Sequence, residues 1–328
     1  MADILVLGGA GYIGSHVVNL LKDRDMIILD NLSTGRKTSV LAGEFVLGDF
    51  QDESLIDALF TKNKFKTVIH FAGSVIVPES VRDPVKYYRN NSLNTLFLIE
   101  KCLQHKVANF IFSGTCAVYG YAQSELIDEN HPTNPISPYS RSKLFVEWAL
   151  QDISRVVSSF NYISLRYFNV AGASIDGRLG QSSSNATHLI KKGLIAALNK
   201  KEKLPLYGTD YNTFDGTCIR DYIHVDDLAQ AHLNALMFLE KEKRSEILNC
   251  GYGKGFSVRE VVKMIKTVTK KNFTVEETAR RAGDADRLVA NNQKIKSLLG
   301  WRPLHADLKK IIESAYQWEK KLQNNSNY

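Results

Sequence analysis

Only four cysteines occur in this 328-residue chain, and Cys102, Cys116, Cys218 and Cys250 lie far apart with no Cys-x-x-Cys pair. That scarcity argues against a disulfide framework and predicts reduced thiols in a cytoplasmic protein. No histidine and cysteine cluster has metal-ligand spacing, so no metal is expected. No run of about 18 apolar residues occurs, and the first residues lead directly into a strand pattern. Neither a membrane span nor a signal peptide is therefore expected. Internal repeats and low-complexity linkers are also missing. Positive charge is plentiful, at a formal +7, but the lysines fall in scattered pairs such as Lys191-Lys192 and Lys270-Lys271. Without a basic stripe interleaved with aromatics, nucleic acid is not an expected partner. The excess of positive charge suits an anionic nucleotide instead.

The N-terminus carries the strongest local signal. Asp3-Ile4-Leu5-Val6-Leu7 runs into Gly8-Gly9-Ala10-Gly11-Tyr12-Ile13-Gly14-Ser15, and a second apolar run ends on Asp30. This reads as strand, glycine turn, helix start, and a second strand ending in a carboxylate. Gly8 lets the chain turn, Gly11 lets backbone approach a pyrophosphate, and Gly14 lets the helix pack close to the strand. The helix N-terminus favours the diphosphate anion, and Asp30 would accept from the adenosine ribose hydroxyls. A carboxylate there repels a 2′-phosphate, which favours NAD; Arg36 keeps NADP as the alternative.

Apolar residues make up 44% of the chain, and the length suits two domains. Strand patterns at 3–7, 26–30, 44–47, 67–71, 108–113 and 162–168 alternate with helical ones near 13–23, 53–62, 92–105 and 140–157. Such alternation predicts an α/β fold, a doubly wound parallel sheet of Rossmann type, over residues 1–170. Residues 171–328 predict a smaller mixed α/β lobe for substrate, with helices near 188–200, 227–240, 257–270 and 305–321. A last strand near 246–250 would return to the sheet. The segments 92–105 and 140–157 are apolar over a broad arc, through Leu93, Leu96, Phe97, Ile99, Leu103, Leu144, Phe145, Trp148 and Ile153. That excess predicts a homodimer through these two helices.

A second chemical signal is Tyr139-Ser140-Arg141-Ser142-Lys143. Residues i and i+4 share one helix face, and an ammonium beside a phenol lowers the phenol's pKa. The pair would then act as acid and base near neutrality. The spacing alone is weak, because Tyr316 and Lys320 repeat it. Context separates the pairs: Tyr139 follows Pro135-Ile136-Ser137-Pro138 at a helix entry, after five strands. Phe110-Ile111-Phe112-Ser113-Gly114-Thr115 ends a strand in hydroxyls, where doubly wound sheets bind ligands. His70-Phe71-Ala72-Gly73 ends another in small residues.

Together these residues resemble the extended short-chain dehydrogenase/reductase family and, within it, the UDP-glucose (UDP-galactose) 4-epimerases. The resemblance runs through GGAGYIGS at 8–15, DNLSTG at 30–35, GD at 48–49, HFAG at 70–73 and YYRNN at 87–91. It continues through RYFNVAGA at 166–173, DGTCIRDYIHVDDL at 215–228, RRAGD at 280–284 and LGW at 299–301. It implies retained NAD and interconversion of UDP-galactose and UDP-glucose through a transient 4-keto sugar. Tyr139 would take the 4-hydroxyl proton, Lys143 support the phenolate and the nicotinamide ribose, and Thr115 hold the 4-oxygen. Cofactor contacts are implied at Gly8, Gly11, Tyr12, Ile13 and Gly14, at Asp30, Asn31, Ser33 and Gly35, and at Asp49 and Phe50. Further ones are Phe71, Ala72, Gly73, Asn90, Ser113, Tyr139, Lys143 and Tyr167. For the substrate, the resemblance implies Thr115, Tyr139, Phe168, Asn169, His188 and Leu189. It adds Tyr207 near the uracil, Arg220 and Arg281 on the diphosphate, Asp284 on the uridine ribose, and Leu288 in the hexose wall.

Four positions depart from the family pattern. Val75 replaces a frequent Lys, Thr115 stands where Ser is also common, and His188-Leu189 replaces Asn-Leu. Leu288, of medium size, predicts weak interconversion of the N-acetylated sugars. Related dehydratases place Asp-Glu directly after the catalytic Thr, whereas Cys116-Ala117 stand here, which argues against elimination of water. A non-catalytic dinucleotide sensor is the reading from another class, and the presence of both Tyr139 and Lys143 argues against it.

Overall fold

The computed structural model describes residues 1–324 apart from 184–186, 200–201 and 282. Six strands come from the first half: β1 Ile4–Leu7, β2 Met26–Asp30, β3 Glu44–Leu47, β4 Thr67–His70, β5 Asn109–Thr115 and β6 Asn161–Tyr167. With the strand Glu246–Cys250 they form one sheet in the order 246–250, β6, β5, β4, β1, β2, β3. Every neighbouring pair is parallel. Helices cover both faces, so β1, β2, β4, β5 and β6 are buried along their full length, and their near-continuous apolar sequences follow from that.

The register decides where chemistry collects. Leu7 lies opposite both Leu29 and His70, and Thr115 lies opposite Tyr167. The carboxyl ends of β1, β2, β4, β5 and β6 therefore open onto one edge, where the strand order reverses between β1 and β4. That is the topological switch point at which such sheets bind ligands.

More of the second half returns to this sheet than the strand 246–250. The helix Val225–Glu242 packs beside the helix Tyr12–Leu20, and Leu228, Ala229, Leu236, Leu239 and Trp301 join the core of one sheet face. The remainder builds a smaller layer. Ile219–His224 pairs with Gly255–Ser257, Arg287–Leu288 and Asn169–Ala171, while Leu204–Tyr207 pairs with Val275–Thr278. The helices Leu189–Leu198, Val258–Thr269 and Leu308–Asn324 pack against each other there. The expected last residue of the first of these, 200, lies outside the described residues.

These short strands and the helices Val77–Arg82, Pro84–Tyr87 and Gln293–Leu299 were not anticipated. In the expected dimer helices, now Asn94–Gln104 and Pro138–Val156, Ile99 and Leu144 are buried in the protein's own core. Leu103 and Ile153 pack against that core. Leu93, Phe145 and Trp148 remain exposed. Among the described residues no helix is long and apolar enough to cross a membrane.

Candidate active site

A cleft of about 920 Å³ lies along the carboxyl edge of the sheet and extends under the second layer. Its floor at one end is the glycine turn. Gly8 holds a φ of +77°, and a Cβ there would sit 2.7 Å from the Ala72 nitrogen. Any larger residue would be both strained and in collision. A Cβ on Gly14 would overlap the Gly8 carbonyl, and one on Gly35 would come within 2.6 Å of Ala10. The turn, the helix it starts and the loop after β2 thus close in contact around a groove that only glycine permits.

Asp30 ends β2 with its carboxylate held by the backbone N–H groups of Ala10 (2.9 Å) and Leu32 (2.8 Å). Burial raises its pKa, and those two hydrogen bonds oppose the rise. Each oxygen keeps a lone pair for another donor. Asn31 donates to Asp49 at 2.7 Å, which ties the ends of β2 and β3 beside it. All the residues expected to hold the cofactor lie on the cleft wall. Two of them have spent their hydroxyls within the protein. Tyr12 donates to the Gly172 carbonyl at 2.7 Å. Tyr167 donates to His232 Nε2 at 2.6 Å, because the other ring nitrogen of His232 faces the Leu228 carbonyl at 2.9 Å and carries the proton. Only their rings and backbone remain for a ligand.

At the centre, Tyr139 and Lys143 project from the first turns of Pro138–Val156. A capping box of Ser137 and Ser140 starts this helix, with Pro138 at its first position. Thr115 at the end of β5 hydrogen-bonds the Tyr139 phenol. The Tyr139 pKa is raised by its burial, not lowered as the i, i+4 spacing to Lys143 suggested. Lys143 donates to Ser113 Oγ at 3.3 Å and sits 4.7 Å from the Phe112 ring centroid. Burial lowers its pKa to about 8. Tyr139 is pushed up to about 12 by burial, against the lowering from Thr115. Desolvation exceeds the charge effect that spacing alone suggested. His70, beneath them, is pushed down to about 3 by burial and by the Lys143 charge, so it stays neutral.

A buried polar network supports the helix from below. Glu147, one turn after Lys143, accepts from Arg166 at 2.7 Å and from Ser164 at 2.7 Å. Arg166 donates to Tyr119 at 2.8 Å, and Tyr119 donates to Asn249 at 2.7 Å. Glu147 raises the Lys143 pKa against its desolvation.

At the far end, Thr115, Phe168, Asn169, His188, Arg220, Asp284 and Leu288 line the cleft. Arg220 is buried and meets Asp284 at 3.5 Å across the wall. Three expected substrate residues are not on the wall. Leu189 packs into the core of the second layer. Arg281 lies over the Tyr207 ring at 3.9 Å, the pair stacking on each other outside the cleft surface. In the motif at 280–284, Ala282 lies outside the described residues. Val75 is 55% exposed at the rim.

Sequence reasoning missed several wall residues. Gln181 lines the cleft and shares a 2.8 Å hydrogen bond with His188. Ser74 receives the Asn90 amide at 2.9 Å, so Asn90 shapes the loop after β4. Lone Gln and Ser residues in loops carry no sequence signal; the neighbouring HFAG and YYRNN segments were the nearest cue. Among the described residues, no group of three or more His, Cys, Asp or Glu is placed to hold a metal.

Comparison with known proteins adds three relatives. The NAD dependent epimerase/dehydratase family matches residues 4–251. A UDP-glucose 4-epimerase of Azospirillum brasilense is 46% identical over 323 residues, 98% of this chain and 92% of that protein. The UDP-Glc/GlcNAc 4-epimerase of Campylobacter jejuni superposes with a TM-score of 0.84 at 46% identity, covering 98% of this chain and all of the other. The UDP-glucose 4-epimerase of Bifidobacterium longum, solved with NAD+ and UDP, gives 0.93 at 34% identity, with 98% and 99% covered.

Proposed function

The chain belongs to the NAD dependent epimerase/dehydratase family, and from that premise we infer that its cleft interconverts UDP-glucose and UDP-galactose. It is an NAD-dependent epimerase, an isomerase acting on a UDP-hexose. The observation that carries this reading is one cleft containing both the glycine cradle and the Tyr139, Thr115 and Lys143 set.

The cradle fits NAD: Gly8, Gly14 and Gly35 leave room that a Cβ would fill, and Asp30 presents free acceptor sites to a ribose. When bound, NAD supplies the acceptor and donor of hydride at the sugar C4. The other steps belong to the protein. Tyr139 takes the proton of the 4-hydroxyl as the sugar becomes a 4-keto species, then returns it after the hexose has turned over. Thr115 favours the phenolate by donating to it, and the Lys143 ammonium stabilises the developing negative charge. Arg220 binds the diphosphate and Asp284 the uridine ribose, both from the cleft wall. A firm hold on UDP with few polar contacts to the hexose lets the sugar present either face.

The weak activity on UDP-GlcNAc and UDP-GalNAc rests on Leu288, buried in the cleft wall at medium size. Turnover of UDP-glucose with none for UDP-GlcNAc would remove it. The four cysteines, all free and buried, support a cytoplasmic location. A homodimer through the segments 92–105 and 140–157 is supported by exposed Leu93, Phe145 and Trp148.

The deciding experiment incubates purified protein with UDP-galactose, without added NAD, and follows products by NMR. Formation of UDP-glucose is expected, with cofactor carried through purification. No conversion with added NAD, or with UDP-GlcNAc, would overturn the epimerase reading.

A further inference from the structure

His232 is titratable and buried, and it takes no part in the proton or nucleotide chemistry of the cleft. It stands on the helix Val225–Glu242, 1% exposed, in the apolar core with Ile69, Leu165, Leu228 and Leu236. Burial lowers its pKa to about 4, so the ring is neutral. Both ring nitrogens are occupied. Nδ1 donates to the Leu228 carbonyl at 2.9 Å, which leaves Nε2 to accept from the Tyr167 hydroxyl at 2.6 Å.

The imidazole lies behind the cleft wall at two places. Its centre is 5.0 Å from that of the Phe71 ring and 5.5 Å from that of the Tyr167 ring. Phe71 follows β4, Tyr167 ends β6, and both line the cleft. Phe71 adjoins the glycine turn, where a Cβ on Gly8 would come within 3.0 Å of its carbonyl carbon. Tyr167 stands opposite Thr115, which hydrogen-bonds the Tyr139 phenol. One buried ring thus backs two aromatic side chains, one beside the cradle and one beside the reacting centre.

Stability does not account for this polar pair. Exchanging two buried hydrogen-bonded groups for apolar ones of the same shape is nearly neutral or stabilising. A satisfied buried network does, however, fix one arrangement of its side chains. The Tyr167 hydroxyl is spent inside the core, so its hydrogen bond acts on the tilt of the ring that faces the cleft. We propose that His232 is a positioning residue for the cofactor, which holds the Tyr167 ring, and Phe71 beside it, in the orientation that NAD meets on the cleft wall. Side chains set before binding spare the ligand the cost of ordering them. This inference rests on the reading of the cleft as an NAD site.

The test compares wild type, His232→Leu, Tyr167→Phe and the double variant. Its readouts are calorimetric titration of NAD+ into cofactor-free protein, thermal melting of the same samples, and steady-state kinetics at saturating NAD+. The double variant is expected to melt at or above the wild-type temperature, since neither polar group of the pair remains. Each single variant strands one of them and should melt below the double. The double variant should still bind NAD+ about tenfold more weakly, because the ligand must now order two aromatic side chains. Its kcat should fall about fivefold through misplacement of the cofactor, with KM for UDP-galactose within about twofold. NAD+ binding by the double variant equal to wild type would overturn the proposal. Weaker binding with a melting temperature below wild type would also overturn it, by reducing the pair to a structural role. Wild-type protein that binds no NAD+ would overturn the cofactor reading of the cleft, and this proposal with it.

Discussion

Lys143 is 3% exposed, and its pKa lies near 8 because burial removes the water around its ammonium. The unfolded chain, with an ordinary lysine, holds that proton up to about pH 10.4. Below pH 8 both states are protonated and the fold carries the full cost of the buried charge. Between 8 and about 10.4 only the unfolded state is protonated, so stability rises with pH. Lys143→Met should therefore stabilise the nucleotide-free protein at pH 7, on the order of 2 kcal/mol, while lowering turnover by orders of magnitude. Urea melts at pH 7 and pH 9.5 should show the advantage shrinking with pH; a constant offset would mean that the charge is not its source. Thr115 acts in the opposite sense on Tyr139, lowering a pKa that burial has raised. Thr115→Val should move the acid limb of kcat/KM to higher pH and reduce turnover at pH 7 by roughly tenfold or more. A pH profile that keeps its acid limb would separate Thr115 from the base.

Glycines and the Tyr139/Lys143 spacing were legible in the sequence because their constraints are local: a left-handed φ at Gly8, a shared helix face at i and i+4. Electrostatic balance was not, since the desolvation of Tyr139 depends on walls from distant segments.

The same contrast holds for elements. The helix expected near 140–157, with its entry after Ser137-Pro138, was foreseen and starts at Pro138, but its support was not. Glu147 meets Arg166, which meets Tyr119, which meets Asn249. These residues stand on four separate elements, and no pattern within any one of them joins their side chains. Glu147 and Arg166 have 0% and 5% side-chain exposure. Removing one charge leaves the other buried and alone, a loss of about 3–5 kcal/mol. Glu147→Gln should thus lower stability by that order in urea melts. Glu147→Leu combined with Arg166→Met should recover most of it. A double variant no more stable than Glu147→Gln would show that the pair holds the helix by more than charge balance. Short strands such as Arg287–Leu288 escaped the sequence reading for a related reason. Two residues carry no period, and they are extended only because Ile219–His224 pairs with them.

For the whole molecule, the apolar excess on two helices divides once the fold is known. Ile99 and Leu144 serve the core, whereas Leu93, Phe145 and Trp148 are 58%, 39% and 54% exposed. Three large apolar side chains left in water on packed helices are the surface on which a two-fold partner would be buried. The tryptophans give a direct readout. Of the three in the chain, Trp301 and Trp318 are 1% and 4% exposed, so Trp148 is the one that can change environment on association. Protein at micromolar concentration should sediment as a dimer, with tryptophan emission shifted to the blue. Dilution into the nanomolar range should move emission to the red as mass falls to that of one chain. Phe145→Glu with Trp148→Glu should stay monomeric at all concentrations and keep its nucleotide cleft, because neither side chain lines it. Single-chain mass for the wild type at micromolar concentration, with emission independent of dilution, would return these residues to the ordinary apolar surface of a monomer.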